Sequence, residues 1–172
     1  ICTSLFTLSA FRQKQTAPRK PLSNCSRMKA QSAKMAATFM SAAIEEAING
    51  VQIGDGGPFG AVVVQNDKII ASCHNQVLKL NDPTAHAEMM AIREASRSLG
   101  RHDLSDCQLY TSCYPCPMCA GASLWARFGN VFYAATSAQA AKADFDDSKF
   151  HDFFRNGFED SHDCKFQLQA HP

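Results

Sequence analysis

The sequence predicts an α/β layered domain with helices on both faces of a mixed sheet. The basis is the order of the apolar segments, which runs helix, two strands, and then helix and strand in alternation. The chain has 172 residues, 45% of them hydrophobic, which suits one domain with a sizeable core. No apolar run approaches the roughly 18 residues that a membrane-spanning helix needs, so we expect no membrane partner.

The first element of the domain is predicted to be a helix that begins near Thr38 and ends at Gly50, with an apolar face at Phe39, Ala42, Ala43, Ala47 and Ile48. A loop rich in turn residues follows at 54–58, and a turn at 66–67 is expected to join two strands as a hairpin. The segments predict strands at 59–64, 68–73, 109–112 and 130–135, and helices at 85–99 and 116–126. The helix at 85–99 has an apolar stripe of Met89, Ile92 and Leu99.

Residues 1–34 differ in composition from the rest of the chain. They hold seven of the 17 basic residues and no acidic residue, and they are rich in Ser, Thr, Gln, Ala and Pro. This composition is typical of a transit peptide; the alternative is an untranslated or engineered leader, since the chain begins at Ile1 rather than Met. Residues 1–37 are predicted to be a disordered basic leader, and residues 38–172 to form the domain. We expect the protein in the cytoplasm, or in a plastid or mitochondrion if the leader is a transit peptide.

The rest of the chain is acidic, with ten basic and 16 acidic residues and a net charge of −6. Binding to a phosphate backbone depends on basic surface, so no nucleic-acid partner is expected. Three of the eight cysteines, Cys73, Cys107 and Cys113, lie in apolar, strand-like runs and are expected to be small core residues.

Two short motifs predict a metal site, His86-Ala-Glu88 and Pro-Cys116-Pro-Met-Cys119. One imidazole and two thiolates are three zinc ligands, and catalytic zinc sites leave the fourth position to water. Both motifs lie at predicted helix starts, where the helix dipole favours a thiolate and disfavours a protonated imidazole. We therefore expect one Zn²⁺ per chain, bound by His86, Cys116 and Cys119.

Glu88 lies where its carboxylate can reach a zinc-bound water without binding the metal. A carboxylate can both accept and donate protons, and H-x-E followed by P-C-x-x-C is the signature of zinc-dependent nucleobase deaminases. The motifs thus predict hydrolytic deamination of an amino-substituted heterocycle, with Glu88 as the proton shuttle. The alternative is a closed structural zinc site, for which Cys113 is the nearest fourth ligand.

Beyond these motifs, the chain resembles the cytidine deaminase superfamily, and more closely its guanine deaminase branch. The resemblance covers roughly residues 39–152 and rests on the strings at 55–61 (DGGPFGA), 81–88 (NDPTAHAE), 125–127 (WAR) and 145–148 (FDDS). It implies a three-layer α/β/α fold with a mixed sheet of roughly five strands, one zinc ion per chain, and a homodimer. It also implies a small-molecule purine substrate, with guanine converted to xanthine and ammonia released.

The resemblance also implies roles for residues outside the metal motifs. Asn75 is similar to a purine-binding asparagine, and Asp147 to a second acid that contacts the purine amine and assists proton transfer. Trp125 is similar to an aromatic residue that lines the pocket, and Ala87 is counted with the substrate-binding residues. Taken alone, Asn75 could be a turn residue, Asp147 a loop carboxylate and Trp125 a core residue, while Phe59 is expected in the core rather than against the substrate.

Two features depart from the pattern of this family. Tyr114 stands where much of the superfamily has Glu, which should leave zinc binding intact but change the local hydrogen bonds. Guanine deaminases usually continue with a C-terminal segment that closes over the active site, and this segment is expected to be largely missing from a chain that stops at Pro172.

Four other functions stay open at this point. Guanosine deaminase shares nearly all the motifs, and the string at 125–127 favours the free base. A tRNA adenosine deaminase should carry a basic surface, which the acidic body does not offer. Cytosine and cytidine deaminases lack the FDD string. A non-catalytic zinc-binding dimerisation module would not need Glu88.

Overall fold

The computed structural model of the protein describes residues 24–157, in which helices flank both faces of one mixed sheet. The elements in chain order are α1 (Asn24–Gln52), β1 (Gly60–Gln65), β2 (Lys68–His74), α2 (Val77–Leu80), α3 (Ala87–Leu99), β3 (Cys107–Cys113), α4 (Pro117–Trp125), β4 (Asn130–Ala135), α5 (Ser137–Ala141) and α6 (Ser148–Arg155). The predicted α/β fold class is confirmed.

The sheet has the strand order β2-β1-β3-β4. β1 pairs antiparallel with both β2 and β3, and β3 pairs parallel with β4. Within residues 24–157 the sheet therefore has four strands, and the expectation of roughly five is corrected. After β4 the chain enters α5 at once, because Thr136 and Gln139 form a capping box in which each side chain accepts a hydrogen bond from the other's backbone N–H.

β1 supplies the centre of the core on both faces of the sheet, because successive side chains of a strand point to opposite sides. On one face, Val62 and Val64 pack with Tyr110 against Phe39 and Ala43 of α1. On the other face, a second cluster joins the sheet to α3 and includes Ala61, Val63, Ala71, Leu109, Ala87, Ala91 and Ala95. The two clusters join three layers: α1, the sheet, and α3 on the opposite face of the sheet.

α1 begins at Asn24, well before the predicted start near Thr38. Residues 24–37, which were assigned to a disordered leader, are therefore helical, and Met35 and Ala36 pack against the core cluster under α1. Residues 1–23 of the predicted leader lie outside the described residues. The side chains at the start of the visible helix, from Met28 to Lys34, are exposed.

The buried face of α3 consists of alanines rather than the predicted stripe of larger residues. Ala87, Ala91 and Ala95 are fully buried, whereas Ile92 and Leu99 are only partly buried at the edge of the same cluster. Small side chains at i, i+4 and i+8 let a helix approach a sheet closely. The apolar pattern correctly predicted the helix and the packing of Ile92 and Leu99 against this cluster, but it missed the alanines at the centre of the contact.

Gly60 marks a second close approach, between β1 and α1. A Cβ atom at Gly60 would lie 2.1 Å from the Ala43 carbonyl oxygen and 2.5 Å from the Ala47 backbone nitrogen. Both are backbone atoms of the helix, so neither can move aside alone. Only glycine permits this contact, which brings α1 against the beginning of β1.

None of the helices within residues 24–157 is long and apolar enough to cross a membrane.

We predict that Gly60→Ala lowers the free energy of unfolding by about 3 kcal/mol, because the added methyl group forces α1 away from β1. Gly121→Ala is the matched control, since a Cβ at Gly121 meets nothing within 4 Å and alanine favours the helical conformation. Chemical denaturation of the two variants measures the difference. Equal midpoints for both variants would show that the close approach is unimportant.

Candidate active site

The candidate site lies at one end of the sheet, where β2, β3 and β4 end and β1 begins. The strand register pairs Gly60 with His74 and Cys113 with Ala135, which brings these four residues to the same end. α4 follows the end of β3, and α3 begins at the same end of the sheet. A cavity of about 590 Å³ opens there, a size typical of small-molecule sites.

The structure brings the three predicted metal ligands together. His86 is the N-cap of α3 and Cys116 the N-cap of α4, and Cys119 lies in the first turn of α4. Local sequence explains both helix starts. Asp82 accepts hydrogen bonds from the backbone N–H and the hydroxyl of Thr84, which closes the turn before His86. Pro117 occupies the first turn of α4, where proline is favoured.

The distances between the ligand atoms fit a zinc ion. His86 Nδ1 lies 3.5 Å from Cys116 Sγ and 3.6 Å from Cys119 Sγ. Zn–S bonds of about 2.3 Å and Zn–N bonds of about 2.0 Å at tetrahedral angles place sulfur and nitrogen roughly 3.5 Å apart. In the described part of the chain, the cluster able to hold a metal has these three members. Cys113 is not among them, which disfavours the closed four-ligand alternative.

The hydrogen bond between Cys116 and Cys119 shifts the pKa values of the two thiols in opposite directions. The hydrogen bond from the Cys119 thiol and the proximity of His86 lower the pKa of Cys116, while the same pairing and burial raise the pKa of Cys119. The hydrogen bond with Cys116 raises the pKa of His86 against the opposing effect of burial. These contacts favour the thiolate form of Cys116, which is the form of cysteine that binds metals.

Glu88 is buried beside the ligand cluster. Its Oε1 accepts a hydrogen bond from the Thr111 hydroxyl at 3.1 Å, and its Oε2 lies 3.5 Å from Cys119 Sγ. Burial raises the pKa of Glu88. One oxygen is therefore anchored by β3 while the other faces the ligand cluster, and burial favours the protonated form of the carboxyl group relative to an exposed glutamate.

Asn75 lies at the other side of the cavity and is almost fully buried. Its Oδ1 accepts hydrogen bonds from the backbone N–H groups of Gly57 at 3.3 Å and Val77 at 3.1 Å. These two donors fix the orientation of the carboxamide, because only its oxygen can accept them. The amide N–H groups remain as the donors that Asn75 offers to a ligand in the cavity.

The rest of the cavity wall is acidic and aromatic. Asp147 lines the cavity, and its Oδ2 lies 3.1 Å from His151 Nε2. Phe59 and Phe145 meet edge to face with their ring centroids 5.1 Å apart, and both line the cavity. Phe59 also packs against the core cluster under α3. Phe59 therefore packs in the core as expected, and its ring forms part of the cavity wall as well.

Two of the predicted substrate-binding residues do not line the cavity within this chain. Trp125 is 87% exposed at the end of α4, so its side chain is neither in the cavity wall nor in the core. The neighbouring Leu124 is 79% exposed. The homodimer implied by the resemblance would cover such a surface and stays a prediction, which the mass of the protein in solution would test. Ala87 is fully buried in the core cluster under α3.

Other residues also shape the site, and one of them, Thr111, was not singled out in the sequence. Thr111 anchors Glu88, and it could have been suspected only as a polar residue in an apolar strand. A Cβ at Gly56 would lie 2.1 Å from Asn75 Oδ1, so the glycines of the DGG string let the loop approach the asparagine. Cys113, expected in the core, is buried but also lines the cavity, and Tyr114 stacks edge to face with Tyr133.

Comparison with known proteins agrees with this geometry. The family model of the cytidine and deoxycytidylate deaminase zinc-binding region matches residues 33–135. Guanine deaminase from Bacillus subtilis is 58% identical over 111 residues, which are 64% of this chain and 71% of the relative. The crystal structure of the Bacillus subtilis enzyme superposes with a TM-score of 0.71 at 48% identity, over 78% of this chain and 85% of that chain.

A second kind of relative is tRNA-specific adenosine deaminase. The protein from Aquifex aeolicus is 42% identical over 97 residues, which are 56% of this chain and 64% of the relative. The chain belongs to the cytidine and deoxycytidylate deaminase zinc-binding family, and it is a nucleobase deaminase, a hydrolase of the zinc type.

Proposed function

We propose that this protein is a zinc-dependent guanine deaminase, which converts guanine to xanthine and releases ammonia. The observation that carries the proposal is the composition of one cavity: His86 and Glu88 lie at its metal end, and Asn75 and Asp147 line it elsewhere. The similarity to the guanine deaminase of Bacillus subtilis supports the choice of substrate.

The side chains of the cavity complement a guanine ring. The N–H groups of Asn75 are free to donate to carbonyl or ring-nitrogen acceptors of a purine. The Asp147 carboxylate can accept from the ring N–H and amino groups of guanine, and Phe59 and Phe145 offer an aromatic wall for a flat heterocycle. A site built from such polar groups penalises a base that leaves them unpaired.

The reaction hydrolyses the C2–amino bond of guanine in two stages. Glu88 accepts a proton from water as the new C2–O bond forms, and delivers it to the adjacent ring nitrogen, so that water is added across the C2–N3 double bond. Glu88 then moves the proton of the new C2 hydroxyl to the amino group, the C2–N bond breaks as the C2 carbonyl forms, and ammonia leaves. The hydrogen bond from Thr111 holds one carboxylate oxygen still while the other moves protons. Zinc held by His86, Cys116 and Cys119 supplies the Lewis acidity that lets water ionise near neutral pH.

The metal is tested first. We expect one zinc per chain by elemental analysis, and its loss in His86→Ala, because two thiolates alone leave the site one protein ligand short. Cys73→Ala is the control: this cysteine lies in β2, away from the cluster, and should leave the zinc content unchanged. Zinc absent from the parent protein, or retained fully by His86→Ala, would contradict the assignment.

The proton shuttle is tested by Glu88→Gln. The amide can still accept the Thr111 hydrogen bond, so zinc and fold should be retained, but it cannot carry protons, and turnover should fall by at least about 10². Glu94→Gln, on the exposed part of the same helix, is the matched control and should keep the parent rate. A Glu88→Gln protein that turns over guanine at nearly the parent rate would rule out this role.

The substrate is tested with a panel of guanine, guanosine, adenine, cytosine, cytidine and a tRNA, assayed for ammonia release. Guanine should give the highest kcat/KM. Asp147→Ala should lower guanine turnover by at least about tenfold without loss of zinc, since it removes an acceptor for the substrate and not a ligand. Asp152→Ala in α6, which pairs with Arg155, is the control.

Each alternative gives a different result in this panel. Faster turnover of cytosine than guanine would refute guanine as the substrate and leave the zinc deaminase mechanism intact. Preference for guanosine would show that the cavity admits a ribose. Preference for the tRNA would show that the acidic charge of residues 35–172 does not prevent contact with a phosphate backbone.

A further inference from the structure

His74, at the end of β2, lies between two carboxylates outside the cavity wall. Its Nδ1 lies 3.0 Å from Glu46 Oε2 and its Nε2 lies 2.9 Å from Asp55 Oδ2. Both ring nitrogens face carboxylate oxygens, and both contacts are hydrogen bonds from the ring only when each nitrogen carries a proton, that is, when the ring is an imidazolium. The side chain is 11% exposed, and a Cβ at Gly50 would lie 2.8 Å from His74 Cβ. The His74 side chain is thus buried and packs tightly against Gly50, near the end of α1.

The two carboxylates connect His74 to three other parts of the fold. Glu46 belongs to α1, and its Oε1 also accepts from the Ser72 hydroxyl at 2.9 Å. Asp55 belongs to the loop between α1 and β1, and its Oδ2 also accepts from Lys79 Nζ at 2.8 Å. The Asp55 carbonyl oxygen accepts from the backbone N–H groups of Leu78 and Lys79 in α2. We call Glu46, Asp55, His74 and Lys79 the His74 cluster.

The His74 cluster surrounds the residue that is placed to contact the purine. Asn75 follows His74 directly, and its Oδ1 accepts from the N–H of Gly57, two residues after Asp55, and from Val77, the first residue of α2. The two backbone segments that orient the Asn75 carboxamide both depend on Asp55. Gly57 follows Asp55 in the same loop, and α2 donates backbone hydrogen bonds to the Asp55 carbonyl oxygen.

We propose that His74 is a positioning residue for substrate binding, which as an imidazolium holds the Asp55 loop and the end of β2 so that the Asn75 amide N–H groups point into the cavity. The inference rests on the proposed function, in which Asn75 contacts the base. His74 itself touches no substrate, and its effect should appear in KM rather than in kcat.

The cluster makes this positioning dependent on pH. Burial lowers the pKa of His74, but the hydrogen bonds to Asp55 and Glu46 outweigh it, so the pKa lies above its ordinary value. The imidazolium form is therefore complete below that ordinary value, about 6.5, and is lost as the pH rises through the raised pKa. A neutral ring donates only one hydrogen bond, so one carboxylate then faces a lone pair.

The charged groups that face the ring come from every element packed against it. Glu46 approaches from α1 and Asp55 from the loop, and Lys79 from α2 shares the same Asp55 oxygen. Lys79 is half exposed and keeps Asp55 partly neutralised after His74 loses its proton. The loop should therefore loosen rather than unfold, and the cost should be weaker binding of the base.

Two variants test the proposal, with the zinc-loaded full chain and steady-state kinetics from pH 6 to 9. His74→Gln keeps one donor but no charge, and we expect its KM for guanine to be raised about tenfold at neutral pH, with kcat within about threefold of the parent. The parent KM should rise with pH and approach that of the variant. Ionisation of the base and of the metal site is common to both proteins, so the difference between their profiles reports on His74. His102→Gln, an exposed histidine, is the matched control and should retain the parent profile.

Glu46→Gln is the second variant, because an amide oxygen can still accept from His74 while the favourable charge is gone. The pH at which KM rises should move downward, and an NMR titration should show the same decrease in the pKa of His74. A KM in His74→Gln that equals the parent value at all pH values, or a pKa of His74 at or below that of His102, would overturn the proposal.

Failure of the proposed function is recognised separately. If the parent protein does not deaminate guanine, that function fails, and the same KM comparison is made with the base that it does deaminate. A parent protein that deaminates no base overturns both inferences. An equal loss of kcat and zinc in His74→Gln would show a structural role alone and would also overturn the positioning role.

Discussion

The convergence of two helix starts on one point is the constraint on which the rest of the site depends. His86 and Cys116 are both N-cap residues, with an extended backbone rather than a helical one, and neither side chain caps its own helix. Their side chains are therefore free to point toward each other, and their ligand atoms meet within 3.5 Å although 30 residues separate them in the chain. α3 and α4 contact each other on the same face of the sheet, and β3 positions the start of α4 because only three residues separate the strand from the helix.

The two ends of the cavity are held in different ways. At the metal end, short motifs place the ligands, and one long-range bond from Thr111 holds Glu88. At the other end, Asn75 depends on backbone donors from a loop and from a short helix, and these in turn depend on side chains of α1, β2 and α2. Chemistry and recognition can therefore change independently, because few contacts belong to both.

This difference explains what the sequence could predict. The metal motifs are local: the members of each motif are two or three positions apart in the chain, and the i, i+3 spacing brings Cys116 and Cys119 to one face. Strands β1 and β2 could be predicted equally well, because a short apolar run and the turn at 66–67 are local signals. Contacts between distant parts of the chain were not predictable. Nothing near His74 in the sequence indicates Glu46 or Asp55, and nothing near Trp125 indicates that its side chain lies on the surface.

The buried alanines of α3 and the helical start of α1 were missed for related reasons. Alanine carries little hydrophobic signal, so the larger Met89, Ile92 and Leu99 dominated the pattern although the alanines contact the sheet. At the start of the chain, basic and polar composition masked the fact that Lys, Gln, Arg and Ala favour helices. Composition predicted a leader, whereas local propensity continued the helix back to Asn24.

The tight hairpin of β1 and β2 has a consequence for how the chain folds. Asn66 and Asp67 both have positive φ, 47° and 60°, the conformation of a two-residue turn that matches the twist of a hairpin. This hairpin closes over a few residues, whereas β1 must find β3 across the distance from Val63 to Leu109. Pairing of β1 with β3 closes this longer loop and is therefore slower than formation of the hairpin. Until β3 arrives, the valine-rich edge of β1 has no partner and can pair with another chain. Amide exchange during refolding would reveal this order, and early folding is therefore the stage at which the protein is most exposed to aggregation.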